Sequence, residues 1–271
     1  MDKIVLFFFI FLVFASCAKE NTDKSLVIEN TGIPLISKVL IGGEIYMEYT
    51  YDDANLVTEE RNRFHYTRHF YNDRNQLTVS DFYWDERIAS SNSSVLEEAM
   101  KRKEWVSPDN TPKSISHLLE YDDENHLVKK TFIRTTGGSG DIMEFLYEGD
   151  RIVRATSYYN GVISNYRDYS YDEKGNIIRE ERYNVSSSGV AGISTTTVYE
   201  YDEMHNPWQA FRRLVTPGIY TNPNNITKET YPIHIEVDPW IENIQVEEYS
   251  YEYNETGYPV KINGLTEYVY K

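Results

Sequence analysis

Hydrophobic and polar residues alternate along most of the chain beyond about residue 35. In residues 195–201, Thr197, Tyr199 and Tyr201 fall on one face of a predicted strand. Residues 247–253 repeat the arrangement, with three tyrosines on one face. Because successive side chains of a strand point to opposite faces, this period of two predicts β-strands.

A short unit with turn chemistry separates these predicted strands. Its clearest copy is Ser170–Ile178, in which Asp172 begins the turn and Gly175 stands three residues later. An Asp first and a Gly fourth suit a type I turn followed by a left-handed residue, a common hairpin connection. The copies are marked by Tyr51, Tyr71, Tyr121, Tyr147, Tyr171, Tyr201 and Tyr253. If the two intervals of about 50 residues are double steps, the period is about 25 residues, the length of one hairpin with its connections.

Specific residues of these units are assigned to turn structure. Each Asp is expected to accept hydrogen bonds from its own turn backbone, and Gly and Asn tolerate a positive φ. The assigned residues are Asp52, Asp122, Asp172, Gly175, Asp202, Asn206 and Gly257. Calcium binding by the acidic turns is the alternative, although their carboxylates lack the ligand spacing of a dedicated calcium loop.

The pattern predicts an all-β fold: an antiparallel meander of repeated hairpins, forming a curled sheet or an open barrel-like sheet, in one domain over residues 35–271. One short helix is predicted in Ser94–Trp105, where Ser94 and Glu97 are placed as a capping box. Five prolines between Pro207 and Pro239 predict irregular loops or edge strands.

The N-terminus has the character of a lipoprotein signal peptide over residues 1–17. Its apolar run, residues 4–14, is too short to span a bilayer. The run ends in Phe14-Ala15-Ser16-Cys17, which resembles a bacterial lipobox and contains the only cysteine of the chain. We therefore expect an acylated Cys17, a flexible tether over residues 18–34, and attachment to the outer membrane, with the surface or the periplasmic face left open.

Composition narrows the possible partners. A formal net charge of −16 opposes binding to nucleic acid, whose phosphates would be repelled. The chain has 24 Tyr and 11 Phe, and Tyr suits faces that are apolar in body and polar at the tip.

Patterns for catalysis and metal binding are weak. His65 and His69 lie four residues apart, but on a strand that spacing separates them by about 13 Å, too far for one ion. No Gly-x-Ser-x-Gly sequence is present, and no cofactor or metal site is expected. Abundant carboxylates leave a carbohydrate-active hydrolase as an alternative, since their separation in space is not visible in the sequence.

Aromatic residues are the stronger candidates for ligand binding. Four tryptophans occur in the irregular parts: Trp84, Trp105, Trp208 and Trp240. Together with rows of tyrosine they could stack on sugar rings or hold a protein partner. The alternative is that the tyrosines only pack the sheet. The prediction is a non-enzymatic binding or adhesion module for a glycan or protein; a structural envelope protein that pairs through sheet edges is the alternative.

The unit Tyr-x-Tyr-Asp-x-x-Gly-Asn-Ile resembles the tyrosine-aspartate (RHS-type) β-repeat of large surface and toxin-shell proteins. With the lipobox, and with Tyr199-Glu200-Tyr201-Asp202 leading into Asn206-Pro207, the chain is similar to lipoproteins of Bacteroidota built from such repeats. The likeness covers about residues 45–271. It implies a repeated β architecture far more than an activity.

Overall fold

One antiparallel sheet dominates the computed structural model, which describes residues 32–85, 94, 104–135, 137, 140–214, 217–218, 220–233 and 243–271. Within these residues the sheet has seventeen strands that follow one another as a meander, so the predicted all-β fold is confirmed. The predicted signal peptide with Cys17, and nearly all of the tether, lie outside the described residues. The assignment of residues 35–271 to one domain stays a prediction.

The strands are β1 Ile36–Ile41, β2 Glu44–Tyr51, β3 Val57–Arg61, β4 His65–Tyr71, β5 Leu77–Trp84, β6 Lys113–Tyr121, β7 Leu127–Arg134, β8 Asp141–Glu148, β9 Arg151–Tyr159, β10 Val162–Tyr171, β11 Ile177–Val185, β12 Ala191–His205, β13 Asn224–Ile233, β14 Asn243–Glu248, β15 Tyr251–Tyr253, β16 Pro259–Ile262 and β17 Thr266–Tyr270.

The sheet curls until its first strand meets its last. β1 pairs with both β2 and β17, and Val39 lies opposite Tyr268. The remaining strands pair with their neighbours along the chain, except at one place: within the described residues no ladder joins β14 to β15. The sheet is therefore curled but not closed by a continuous ladder.

One face of the curled sheet, the inner face, carries the hydrophobic core. A first cluster spans β5 to β11 and contains the buried residues Leu77, Leu119, Leu127, Phe145, Ile152, Ala155, Tyr169 and Ile177. A second cluster joins β1, β3 and β17 to Phe211, which is 1% exposed. Burying such side chains contributes roughly 1.5–3 kcal/mol each, and this drives the sheet to curl around them.

The opposite, outer face is lined by ion pairs between neighbouring strands. Arg61 of β3 lies 2.7 Å from Glu48 of β2, and Arg154 of β9 binds Asp168 of β10 through two nitrogens. Such exposed pairs contribute little stability individually, but they keep this face compatible with water.

Tyrosine hydroxyls near the ends of strands bond to the first part of the preceding strand, except that Tyr251, which begins β15, reaches back to β13. Tyr71, at the end of β4, donates its hydroxyl to the carbonyl of Val57 at the start of β3, at 2.8 Å. Eight tyrosines repeat this bond, which we call the tyrosine clasp: Tyr51, Tyr71, Tyr121, Tyr147, Tyr171, Tyr201, Tyr251 and Tyr270. Six of the seven tyrosines that mark the repeat unit therefore have a structural role at one end of the curled sheet, whereas the seventh, Tyr253, donates to Asp202.

The helical segments differ from the prediction. Of the predicted helix Ser94–Trp105, Ser94 is helical, Trp105 is not, and most of the segment lies outside the described residues. A 3-10 helix, Pro207–Leu214, occupies the stretch predicted to be irregular. Pro207 begins it, which suits a residue with no N–H to donate, and the Asn206 side chain caps it by accepting a hydrogen bond from the Trp208 N–H at 3.0 Å.

The two long intervals of the repeat also differ from each other. Between Tyr71 and Tyr121 the described residues form only β5 and β6, so this interval is an insertion and not a double step. Between Tyr201 and Tyr253 an additional hairpin, β13–β14, is present.

Candidate functional site

In the regular turns, the aspartate side chains form hydrogen bonds with the backbone of their own turn. The Asp52 carboxylate accepts hydrogen bonds from the backbone N–H groups of Ala54 and Leu56, at 2.9 and 2.8 Å. Asp122 and Asp172 do the same in their turns. Burial alone would raise the pKa of Asp172, but hydrogen bonds from Asn176 and from backbone N–H groups outweigh it and hold that pKa below its usual value. Gly175 and Gly257 take φ values of 97° and 79°, which glycine adopts without strain.

Asp202 behaves differently. A turn was predicted after it, but β12 continues to His205, and His205 does not take a positive φ. Asp202 instead accepts hydrogen bonds from the Asn225 backbone N–H and from the hydroxyl of Tyr253, besides one from Met204. The carboxylate thus joins β12 to β13 and β15. Because no tight turn forms here, the chain makes room for the 3-10 helix.

Between β14 and β15 the backbone changes its hydrogen-bonding partner, and for this reason no ladder joins these two strands in the described part of the chain. At the start of this change, the Tyr249 N–H donates to the carbonyl of Thr227 in β13, at 2.8 Å. One residue later, the Ser250 N–H donates to the Asn263 side chain in the β16–β17 turn, at 2.7 Å. The chain therefore crosses from one neighbour to the other at residues 249–250, and β13 separates from β15.

A cavity of about 330 Å³ lies where these strands separate. Its aromatic lining consists of Trp208, Tyr249, Tyr251 and Tyr268. Its polar lining consists of Asn206, Asn224, Asn225, Glu229, Asn263 and Thr266. A concave site with aromatic walls and a few polar groups is the usual form of a small-molecule site, and this volume is at the lower end of the range.

Trp208 is held firmly at the cavity wall. Its Nε1 donates to the Tyr268 hydroxyl at 2.9 Å, and the two rings meet edge to face with centroids 5.6 Å apart. Burial raises the pKa of Tyr268 to about 12. Its hydroxyl oxygen accepts the Trp208 hydrogen bond, and its own proton can be donated to a ligand. Phe211 packs against Trp208 from the core side.

Glu229 is the one ionisable carboxylate in the lining. Tyr231 donates its hydroxyl to it, and Glu247 of β14 lies directly opposite in the register. Burial, and then the Glu247 charge, raise the pKa of Glu229. The cavity therefore combines aromatic walls with a carboxylate that is partly removed from water.

The other predicted tryptophans lie elsewhere. Trp84 is 41% exposed and its ring stacks on His65, while the Arg61 guanidinium lies over Trp105 at 5.6 Å. Trp240 lies outside the described residues. Within the described part of the chain no ring contact joins two tryptophans, so of the predicted set Trp208 alone is placed in the cavity wall.

A series of hydrogen-bonded side chains on the inner face is not indicated by any sequence pattern. His69 contacts the Ser80 hydroxyl through Nδ1 at 2.9 Å and Glu60 through Nε2 at 2.7 Å. These three residues lie on three strands, so only the register reveals them. Ser80 is 4% exposed and lies in mid-strand between two paired strands, where the ladder uses the backbone N–H groups that would have to stabilise an oxyanion. This environment favours a structural role.

Among the described residues, no group of three or more His, Cys, Asp or Glu is placed to hold a metal ion. His65 and His69 are engaged with Trp84 and with Ser80 and Glu60, respectively.

Comparisons with known proteins assign no family. Neither a family model nor a curated protein matches the chain. Among solved structures, a porin-like protein from Bacteroides uniformis ATCC 8492 is 12% identical with a TM-score of 0.42, covering 87% of this chain and 98% of that one. A DUF3836 family protein from Parabacteroides distasonis ATCC 8503 is 14% identical with a TM-score of 0.28, covering 39% of this chain and 84% of that one. The TcdB2-TccC3-Cdc42 complex is 15% identical with a TM-score of 0.30, covering 79% of this chain and 10% of that one.

Proposed function

We propose that the protein is a lipid-anchored envelope lipoprotein of the outer membrane, which binds a small sugar or a sugar-like part of a larger glycan in the cavity between β13 and β17, without transforming it. The observation that carries this proposal is the cavity itself, which has aromatic side chains and carboxamides around about 330 Å³. Sugars present one apolar face and several hydroxyls. Aromatic rings stack on the first, and amides and a carboxylate bind the second.

The rigidity of the lining also favours ligand binding over catalysis. Trp208 and Tyr268 are locked to each other and to the core, as suits a preorganised wall. Glu229 has Glu247 opposite it, and a pair of carboxylates keeps hydrolysis as an alternative to be assayed beside binding.

The envelope part of the proposal rests on the sequence and on the outer face. Cys17 provides the acylation site, and ion pairs such as Arg61–Glu48 suit an outer face that contacts water. No helix within the described residues is both long and apolar enough to cross a bilayer.

Ligand capture is tested with the full-length protein in detergent on a glycan array, compared with Trp208→Phe and Trp84→Phe. We expect a retained glycan whose binding is weakened about tenfold by Trp208→Phe, since a stacking surface and a hydrogen bond are lost, and is unchanged by Trp84→Phe. Equal weakening by both variants, or no retained glycan, would contradict the proposal. Release of sugar products in a parallel assay would favour the hydrolase.

Anchoring is tested by fractionation of cells that carry Cys17→Ala. Without the thiol no acyl chain can be attached, so the protein should move from the membrane fraction to the soluble fraction. Ser16→Ala keeps a small residue before the cysteine and should stay with the membrane. Unchanged partitioning of the Cys17→Ala protein would rule out the lipid anchor.

A second candidate function, pairing with a partner strand, is favoured by β14. Within the described residues β14 has a ladder partner, β13, on one side only, and Ile244 and Val246 are about half exposed. Such an edge is open to strand addition. Ile244→Lys with Val246→Lys should remove a crosslinked partner from whole cells under this hypothesis and leave glycan capture intact; persistence of the crosslink would reject it.

A further inference from the structure

The charge of the cavity identifies a narrower class of ligand. This inference rests on the proposed function, because it concerns the same cavity. The described residues that line the cavity include Glu229 but no lysine or arginine. A ligand that brought its own positive charge would therefore meet an uncompensated carboxylate.

Glu229 has no cationic partner within the described residues. No salt bridge there involves Glu229 or the opposing Glu247. The neighbouring Lys228 points to the outer face and binds Glu200 at 3.0 Å. The other ionisable groups that interact with Glu229 among the described residues are Glu180 of β11 and the tyrosines Tyr199, Tyr201, Tyr231 and Tyr249, none of which supplies a positive charge.

The aromatic wall adds to the same preference. A cation near the face of a Trp or Tyr ring is attracted by the ring quadrupole, and the attraction is stronger where water is excluded. Trp208, Tyr249 and Tyr251 provide such rings in the lining of the same cavity as the Glu229 carboxylate. A carboxylate with several aromatic rings is the usual arrangement for recognition of an ammonium group.

We propose that the cavity binds an amino sugar with a free ammonium group, whose ring stacks on the aromatic wall and whose ammonium pairs with Glu229. The Asn225 NH2 already donates to Asp202 and His205, and the Asn263 Oδ1 already accepts from Ser250. The Oδ1 of Asn225 and the Nδ2 of Asn263 provide partners for the hydroxyls, which an ammonium ion without a sugar ring would leave unused.

The test is calorimetric titration of the full-length protein in detergent, near neutral pH, with glucosamine, N-acetylglucosamine, glucose and tetramethylammonium. Glucosamine should bind about tenfold more tightly than the two neutral sugars, because one partly buried ion pair is gained. Glu229→Gln should remove this advantage and leave the neutral sugars unchanged. Glu200→Gln, on the outer face, should change nothing.

The outcomes separate the two claims. Equal affinity for the three sugars, or an advantage of glucosamine that survives Glu229→Gln, would overturn the charge-based inference while the sugar cavity stands. Tetramethylammonium binding as tightly as glucosamine would overturn the requirement for a sugar ring. No binding of any sugar would contradict the proposed function itself. Thermal unfolding monitored by circular dichroism verifies that the Glu229→Gln protein is folded in each case.

Discussion

In two parts of the curled sheet, the aspartate of the repeat unit forms different kinds of hydrogen bond. In the regular arc, β1–β11, Asp52 binds the N–H groups of its own turn. In the interrupted arc, β12–β17, Asp202 binds Asn225 and Tyr253, which are 23 and 51 residues away. A repeat unit that forms its turn is locally complete, whereas one that does not must hold distant segments together. The cavity occurs in the second arc, where pairing is no longer continuous.

The asparagines of the interrupted arc show the same contrast. Asn222 is 1% exposed, donates to Tyr201 and accepts a hydrogen bond from the Ile177 N–H at 2.9 Å. Asn224 exchanges hydrogen bonds with Asn176 in the turn of the regular arc. Buried amides of this kind join the two arcs, and leaving one unpaired costs roughly 1–3 kcal/mol.

The largest expected difference in stability is between two variants, each of which lacks one of the aspartates Asp202 and Asp52. Asp202→Ala should lower the free energy of unfolding by roughly 3 kcal/mol, because several bonds to a charged acceptor are lost, and Asp52→Ala by roughly 1 kcal/mol. Chemical denaturation of the purified protein measures both. Equal losses would mean that the arcs do not differ in this way.

Lys130 provides a test of how far the inner face of the regular arc is removed from water. It lies in β7 opposite Met143 with its ammonium 5.3 Å from the Phe132 ring, and burial lowers its pKa to about 8. Between that value and its usual 10.5 the unfolded chain binds a proton that the folded chain lacks, so stability should rise with pH across this window.

Lys130→Met should therefore stabilise the protein at pH 7 by roughly 2 kcal/mol, a value reduced from the full shift to allow for residual solvent. The gain should disappear near pH 10.5, where the lysine is neutral in both states. Denaturation at several pH values measures it, and a gain that does not depend on pH would assign the effect to packing alone.

The tyrosine clasps give a smaller contrast. Tyr171→Phe removes its hydrogen bond to the Ile152 carbonyl and should cost roughly 1 kcal/mol, while Tyr201→Phe also leaves the buried Asn222 amide without its acceptor and should cost roughly 2 kcal/mol. The same denaturation experiment compares them. A cost for Tyr171→Phe that matches Tyr201→Phe would show that the second bond adds nothing.

Glu229 gives the smallest effect on stability and the opposite dependence on pH. Because its pKa is raised in the folded chain, the folded state binds the proton more tightly, and stability should fall as pH rises above about 4.5, the usual value. Glu229→Gln should raise the melting temperature at pH 8 and leave it unchanged at pH 4. A rise of equal size at both pH values would contradict the assigned cause.

Local chemistry made the regular arc predictable. Alternation identified the strands, and the Asp and Gly of the unit Ser170–Ile178 identified the turn, because both signals lie within a few residues. The 3-10 helix at Pro207–Leu214 was not predicted, since its place depends on Asp202 turning toward β13 and β15. Trp208 was predicted as a candidate, but its partner Tyr268 is 60 residues away and only the closing of β1 on β17 brings them together.

The central claim, that the cavity of the interrupted arc binds the ligand, is tested most directly by filling it. Leu265 lines the cavity and is 53% exposed, so Leu265→Trp should block the cavity without disturbing the core. Leu146→Trp, at a 58% exposed position on the outer face of the regular arc, is the matched control. Calorimetric titration with glucosamine should show binding to the Leu146→Trp protein and about a hundredfold loss in the Leu265→Trp protein. Equal affinity of the two variants would contradict the account.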